Sequence, residues 1–173
     1  YFHVEPDTGE EVPNGVNGEF VARGYNIMKG YYKMPQATAA AIDRDGWLHT
    51  GDMGIIDQDG YLFIKGRCKN MILSSNGQNI YPEEIEDKLN NMPYISESIV
   101  IEKEGKLVAL IYPDFDLVNE EKITDEKLDE LMTANLKEIN QQLPAYSQLN
   151  TYKLYNEEFE KTPKRSIKRF LYQ

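Results

Sequence analysis

The sequence predicts an α+β protein, on three observations. Two pairs of strand-forming runs are each joined by a short glycine-containing turn: Trp47 to Ile56 with Tyr61 to Lys65 around Asp57-Gln58-Asp59-Gly60, and Ile95 to Glu102 with Leu107 to Tyr112 around Glu104-Gly105-Lys106. Two other segments, Pro82 to Asn91 and Asp125 to Leu143, repeat apolar residues at helical spacing. With 173 residues and 40% hydrophobic composition, the chain can bury the core of one ordinary domain or two small ones.

Taken in order, Tyr1 to Asn17 holds Pro6, Asp7, Gly9, Pro13, Asn14 and Gly15 with little periodicity, and reads as hairpin turns and loop. Gly18 to Tyr25 alternates toward a strand, and Met28 to Lys33 is expected to continue that sheet. Pro35 to Ile42 is a short helix, with proline in its first turn followed by an alanine-rich run. Asp45-Gly46 turns the chain into the first hairpin. Gly66 to Glu86 then packs Arg67 and Lys69 behind a glycine, a short apolar run and a Ser-Ser-Asn-Gly turn. Pro82 starts a helix whose first turn Glu83, Glu84 and Glu86 complement, and whose apolar stripe holds Ile85 and Leu89. The second hairpin, rich in Ile and Val, reads as a core sheet. Pro113 to Ile123 reads as an acidic loop, and Asp125 to Leu143 as a longer helix with Leu128, Leu131, Met132, Leu136, Ile139 and Leu143 on one face. Pro144 stops it, Thr151 to Tyr155 is a short strand, and Ser166 caps a terminal helix to Tyr172.

Composition excludes several functions. A net charge of −10 argues against nucleic acid as a partner, because phosphates demand a basic face. No apolar run approaches the length of a membrane span, and no basic-then-apolar leader opens the chain, which begins at Tyr1 and reads as a fragment of something longer. Peripheral contact with a membrane stays open. The lone Cys68 excludes an internal disulfide and suits a reducing cytoplasm; its flanking Arg67 and Lys69 could favour a thiolate, but the preferred reading is an incidental small residue. His3 and His49 lack the spacing of a metal site, so none is expected. Charge is uneven at the end: three acids in Glu157 to Glu160 precede Lys161, Lys164, Arg165, Lys168 and Arg169. That run is either a solvated tail or a cationic arm for a small polyanion.

Two motifs in the right order, Trp47-Leu-His-Thr-Gly-Asp52 and the Gly66 to Glu86 stretch, resemble the adenylate-forming superfamily of acyl-CoA synthetases, luciferases and adenylation domains. The Asn-Gly-Gln-Asn loop followed by Ile-Tyr-Pro most resembles the long-chain fatty acid–CoA ligases. The resemblance implies that residues 1–68 are the tail of a large AMP-binding domain, the end of its β-barrel subdomain, and that residues 69–173 form a mobile C-terminal domain with a short sheet packed by helices. It implies that the full-length protein converts a fatty acid and ATP, with Mg2+, to acyl-AMP and passes the acyl group to CoA. The chain alone holds no Ser/Thr-Gly-Thr-Thr-Gly phosphate loop, so it is expected to be inactive and to bind none of these tightly. An acyl-AMP ligase or an adenylation domain serving a carrier protein fits the same motifs, as does a non-catalytic binding module.

On this resemblance Asp52 accepts hydrogen bonds from the ribose hydroxyls and Arg67 touches the nucleotide, while Lys69 is the hinge between an adenylation and a transfer pose. Ser75, Asn76, Gly77, Gln78 and Asn79 form the loop that lines the CoA channel. The C-terminal motif departs from the family. Relatives carry a lysine in patterns like Thr-Pro-x-x-Lys-Ile-x-Arg, whereas Thr162 to Arg169 places Ser166 there, and a hydroxyl cannot supply that charge. If this segment is extended, Lys164 and Lys168 share the face of Ser166 and lie about 6.6 Å along the strand on either side, within lysine reach of the same oxygens. If Ser166 begins a helix, Lys168 points elsewhere, which favours Lys164.

Overall fold

The computed structural model describes every residue, Tyr1–Gln173, and the chain divides into two compact units, Tyr1–Met71 and Ile72–Gln173. No helix is long and apolar enough to cross a membrane.

The first unit is built on an antiparallel sheet of β1 (Phe2–Val4), β2 (Gly18–Ala22), β3 (Leu48–Ile56) and β4 (Leu62–Arg67), in that spatial order. It is an open sheet and not a closed barrel, with β1 and β4 as its edges. The expected hairpin is β3–β4. Its turn is organised by the Asp57 carboxylate, which accepts from the amides of Asp59 (3.0 Å) and Tyr61 (2.8 Å). Helix α1 (Pro35–Ala41) precedes β3 as the alanine run and first-turn proline predict.

Two expectations fail here. Phe2–Val4 is not loop but pairs with Val21 to Glu19, a three-residue strand too short to show alternation and held by its neighbour. Met28 to Lys33 forms no strand; Lys33 adopts φ 55, outside the extended region, and the Tyr31 amide donates to Thr38 Oγ1 at 2.9 Å, folding the segment against the start of α1. Val4, Phe20, Val21, Met53 and Ile56 fill the core. At the bulge between Met53 and Gly54 the strands come so close that a Cβ on Gly54 would lie 2.0 Å from the Phe63 carbonyl oxygen and 2.7 Å from the Phe20 ring.

The second unit opens with a ribbon of β5 (Ile72–Leu73) and β6 (Asn79–Ile80), followed by α2 (Pro82–Leu89). The predicted core hairpin is β7 (Ile95–Lys103) and β8 (Lys106–Pro113), antiparallel, and β9 (Thr151–Leu154) adds parallel to β8. Helices α2 and α4 (Asp125–Gln142) contribute Ile85, Leu89, Leu128, Met132 and Ile139 to a cluster with Val100, Ala109 and Ile111. The other sheet face buries Ile99, Ile101 and Leu110 under Phe159. Both faces are thus covered, which is why these strands read as continuous apolar runs. Each such buried aliphatic side chain contributes about 1.5–3 kcal/mol.

The acidic loop expected over Pro113 to Ile123 contains α3 (Phe115–Glu120), capped by Asp114, whose Oδ1 accepts from the Leu117 amide at 3.1 Å. Six residues are too few to show helical periodicity, so only the cap could have announced it. Thr124 caps α4 in the same way, accepting from the Lys127 amide at 3.3 Å. The terminal helix from Ser166 is also absent. Lys161 bridges Ile167 across a tight hairpin, and only Arg169–Leu171 makes a 3-10 turn. Arg165 sits at φ 62, which breaks both the helix and the straight strand on which residues 164, 166 and 168 were to share a face.

Candidate functional site

In the first unit, the register of β3 and β4 places Asp52 opposite Arg67, and Arg67 Nη1 donates to Asp52 Oδ1 at 2.5 Å. Their side chains are 31% and 47% exposed, so the pair presents the rest of its acceptors and N–H donors to solvent. That combination suits a ligand with both hydroxyl and anionic oxygens. Gly51 makes the pairing possible: its φ of 72 suits glycine, and a Cβ there would sit 3.2 Å from Arg67 Nη2.

The backbone beneath Asp52 is held by residues that sequence reasoning missed. Buried Glu19, on β2, accepts from the Gly51 amide (2.9 Å) and bonds His49 Nδ1 (2.9 Å). The Thr50 hydroxyl donates to the Phe20 carbonyl (2.8 Å). A glutamate inside an otherwise apolar strand, Gly18-Glu19-Phe20-Val21, is the signal that could have found this support. His3, the other histidine, bonds the Val16 carbonyl at 2.9 Å.

Cys68 and Lys69 lie in a 3-10 turn, Cys68–Asn70, that follows β4, with Lys69 exposed. The cationic flanks do not produce a reactive thiolate. Burial first, and then the charge of Glu19, push the Cys68 thiol up to about 11; Arg67 pulls the other way and loses.

In the second unit, the loop between β5 and β6 carries Ser75, Asn76, Gly77, Gln78 and Asn79, all exposed. Ser74, just before them, staples it: its Oγ accepts from the Gln78 amide (2.9 Å) and lies 2.5 Å from Asn76 Oδ1. The loop therefore offers a shaped ribbon tip rather than a loose strand.

The basic tail resolves into individuals. Lys161 bonds Glu97 (2.8 Å) and Glu158 (2.9 Å), which raise its pKa. Lys168 is held by Glu160 at 2.5 Å. Arg169 is half-buried and pairs with Glu86. Lys164 and Arg165, at the hairpin tip with Ser166, are exposed and make no ion pair. Three of the five cations are thus already paired within the unit, and the image of one solvated or polyanion-binding arm shrinks to its tip.

Comparison with known proteins yields concordant matches. A family model described as the AMP-binding enzyme C-terminal domain matches residues 69–172. The chain is 35% identical over 167 residues to 4-coumarate–CoA ligase 1 of Arabidopsis thaliana, covering 96% of this chain and 28% of that protein. It is 48% identical over 94 residues to feruloyl-CoA synthase of an Amycolatopsis species, covering 54% and 19% respectively. Among solved structures, ATP-bound MatB from Rhodopseudomonas palustris superposes with a TM-score of 0.76 at 28% identity, over 99% of this chain and 32% of that one. The chain spans less than a third of the length of these relatives.

Proposed function

We propose, since this chain belongs to the AMP-binding enzyme C-terminal domain family, that the full-length protein is an AMP-forming acid–CoA ligase. It joins a carboxylic acid to ATP, delivered with Mg2+, releases pyrophosphate, and passes the acyl group of the acyl-AMP to CoA. The observation that carries this reading is the Asp52–Arg67 pair at 2.5 Å, in register across β3 and β4 and open to solvent. On this reading Asp52 takes the ribose hydroxyls and Arg67 the neighbouring nucleotide oxygens. Residues 1–68 are the tail of the large domain, residues 69–173 the mobile domain, Lys69 the hinge, and Ser75 to Asn79 the wall of the CoA channel.

For the acid itself, the Asn76-Gly-Gln-Asn79 loop motif supports a long-chain fatty acid. The names of the relatives favour a second reading, an aromatic acid of the ferulate or 4-coumarate kind. Ser166, in place of the family lysine, is what supports a non-catalytic binding module; a carrier protein as acceptor in place of CoA is the other alternative the motifs fit. For the adenylation charge we favour Lys164, since Lys168 is neutralised by Glu160 at 2.5 Å. The single cysteine supports a cytoplasmic setting.

The test is acid-dependent ATP–pyrophosphate exchange and CoA-dependent AMP release by the full-length protein, with a panel of fatty and aromatic acids. Exchange with one class is expected; no exchange with any acid refutes the ligase reading. Lys164→Ala should then slow exchange by roughly 10²- to 10³-fold, the scale of losing one preorganised charge stabiliser, while transfer from preformed acyl-AMP persists. An unchanged rate would assign the charge to another group.

A further inference from the structure

The pair of buried Glu86 and half-buried Arg169 has no part in the chemistry proposed above. Glu86 lies on α2 and Arg169 at the start of the last 3-10 turn, with side chains only 10% and 15% exposed. Both also engage one residue of the sheet. Glu86 Oε1 accepts from the Val100 amide at 2.6 Å, and Arg169 Nη1 donates to the Val100 carbonyl at 3.4 Å. The ion pair thus occupies the outer edge of β7 as a neighbouring strand would, with one acceptor and one donor. Isolated buried ion pairs contribute little net stability, because desolvation offsets their attraction; in some proteins they are kept for the geometry they define.

What they define here is the hairpin between Lys161 and Ile167. Its first flank is tied to β7 by Lys161 and Glu97 at 2.8 Å, and Phe159 beneath it is buried against Tyr172, ring centroids 5.1 Å apart. The second flank runs directly into Arg169. Within the hairpin the Thr162 amide bonds the Ser166 carbonyl and the Lys168 amide the Glu160 carbonyl, each at 2.8 Å. Both flanks are therefore fastened to one strand edge, and Lys164, Arg165 and Ser166 project from a braced base.

We propose that Glu86 and Arg169 are positioning residues that hold the Lys161–Ile167 hairpin so that its unpaired cationic tip meets the developing charge in adenylation. This rests on the ligase reading. A tip displaced by about 1 Å can lose on the order of 10²-fold in rate. Without the pair the hairpin keeps the Lys161–Glu97 bridge and the packing of Ile167 and Phe159, so the expected effect is a shift of its tip and not its detachment. Arginine suits the role because its planar fork reaches a carboxylate and a carbonyl together, which a lysine point charge cannot.

The experiment compares wild type, Arg169→Met, Arg169→Lys and Glu86→Gln in the full-length protein, by amide hydrogen exchange and by the two half-reactions measured separately. Arg169→Met should speed exchange of the Thr162 and Lys168 amides by about tenfold or more while Leu110, in β8, keeps its protection. Adenylation should fall by roughly 10- to 100-fold with transfer from preformed acyl-AMP unchanged, and Arg169→Lys should be intermediate in both. Unchanged hairpin exchange overturns the proposal. So does faster exchange with normal adenylation, or an equal loss in both half-reactions. If Arg169→Met fails to fold, the Arg169→Lys and Glu86→Gln proteins decide by the same criteria. A wild type without either half-reaction refutes the ligase reading instead, and the exchange arm still decides whether the pair braces the hairpin.

Discussion

Cys68 offers a direct measure of the electrostatics at the end of β4, because opposing influences meet on it. Two adjacent cations argue for a lowered pKa, whereas burial and Glu19 push it from 9.0 up to about 11. A displacement of that size leaves roughly 10⁻⁴ of the thiol ionised at pH 7, against about 10⁻² for an ordinary one, so alkylation should be on the order of 100-fold slower than in the unfolded chain. The assay is the rate of iodoacetamide labelling as pH is raised, with the urea-unfolded chain as reference. The folded rate should climb tenfold per pH unit well past 9.0 and level only near 11. Levelling below 9.0 would show that Arg67 and Lys69 govern the site and would refute the reasoning. Glu19→Gln, which removes the second-largest cause, should bring the plateau to lower pH, and Arg67→Met should move it higher. The sign for stability follows. The folded state holds this proton longer than the unfolded one, so the contribution is intact below 9.0 and is lost as pH rises toward 11.

Two further substitutions probe the backbone. Gly54→Ala forces a methyl to within 2.0 Å of the Phe63 carbonyl oxygen and should destabilise the chain by about 1–3 kcal/mol in urea unfolding; an unchanged midpoint would show that the bulge yields freely. Arg165→Gly removes a side chain from a left-handed backbone (φ 62) and should raise stability by about 0.5–1 kcal/mol, the strain relieved less the added unfolded-state entropy. A loss of stability there would mean that the arginine side chain itself supports the hairpin.

How legible each part was depended on whether its cause is local. The β3–β4 turn was readable because Asp57 and Gly60 act within their own five residues. Helices α2 and α4 were readable because each is long enough for a stripe, with Pro82 marking the start of one and Pro144 the end of the other. The ribbon loop showed its Asn-Gly but not the staple, since a lone Ser74 reads as any turn serine. Phe2–Val4 exists because β2 pairs with it, and α3 because one cap suffices for six residues. The tail misled most. Its basic run looks helical or extended by composition, yet Glu86 lies 83 residues before the Arg169 it binds, and no window of local sequence contains both. Asp52 and Arg67 were visible as motif residues, whereas Glu19 stands out as a charge in an apolar strand but its partners, the Gly51 amide and His49, lie 32 and 30 residues away.

The side chains on Val100 bear on how this molecule behaves in a crowd. A three-stranded sheet has two rims, and a bare rim invites a strand from a neighbouring chain, the first step toward intermolecular sheets. On β7 the midpoint is already stoppered by a carboxylate and a guanidinium, which take the amide and the carbonyl that an intruding strand would need. A stopper of charge, unlike one of hydrocarbon, also repels the apolar segments that seed such growth. Replacing the pair by well-packed aliphatic residues could therefore preserve folding and still cost solubility. Designers who seek to trim or rigidify this domain should leave that edge closed.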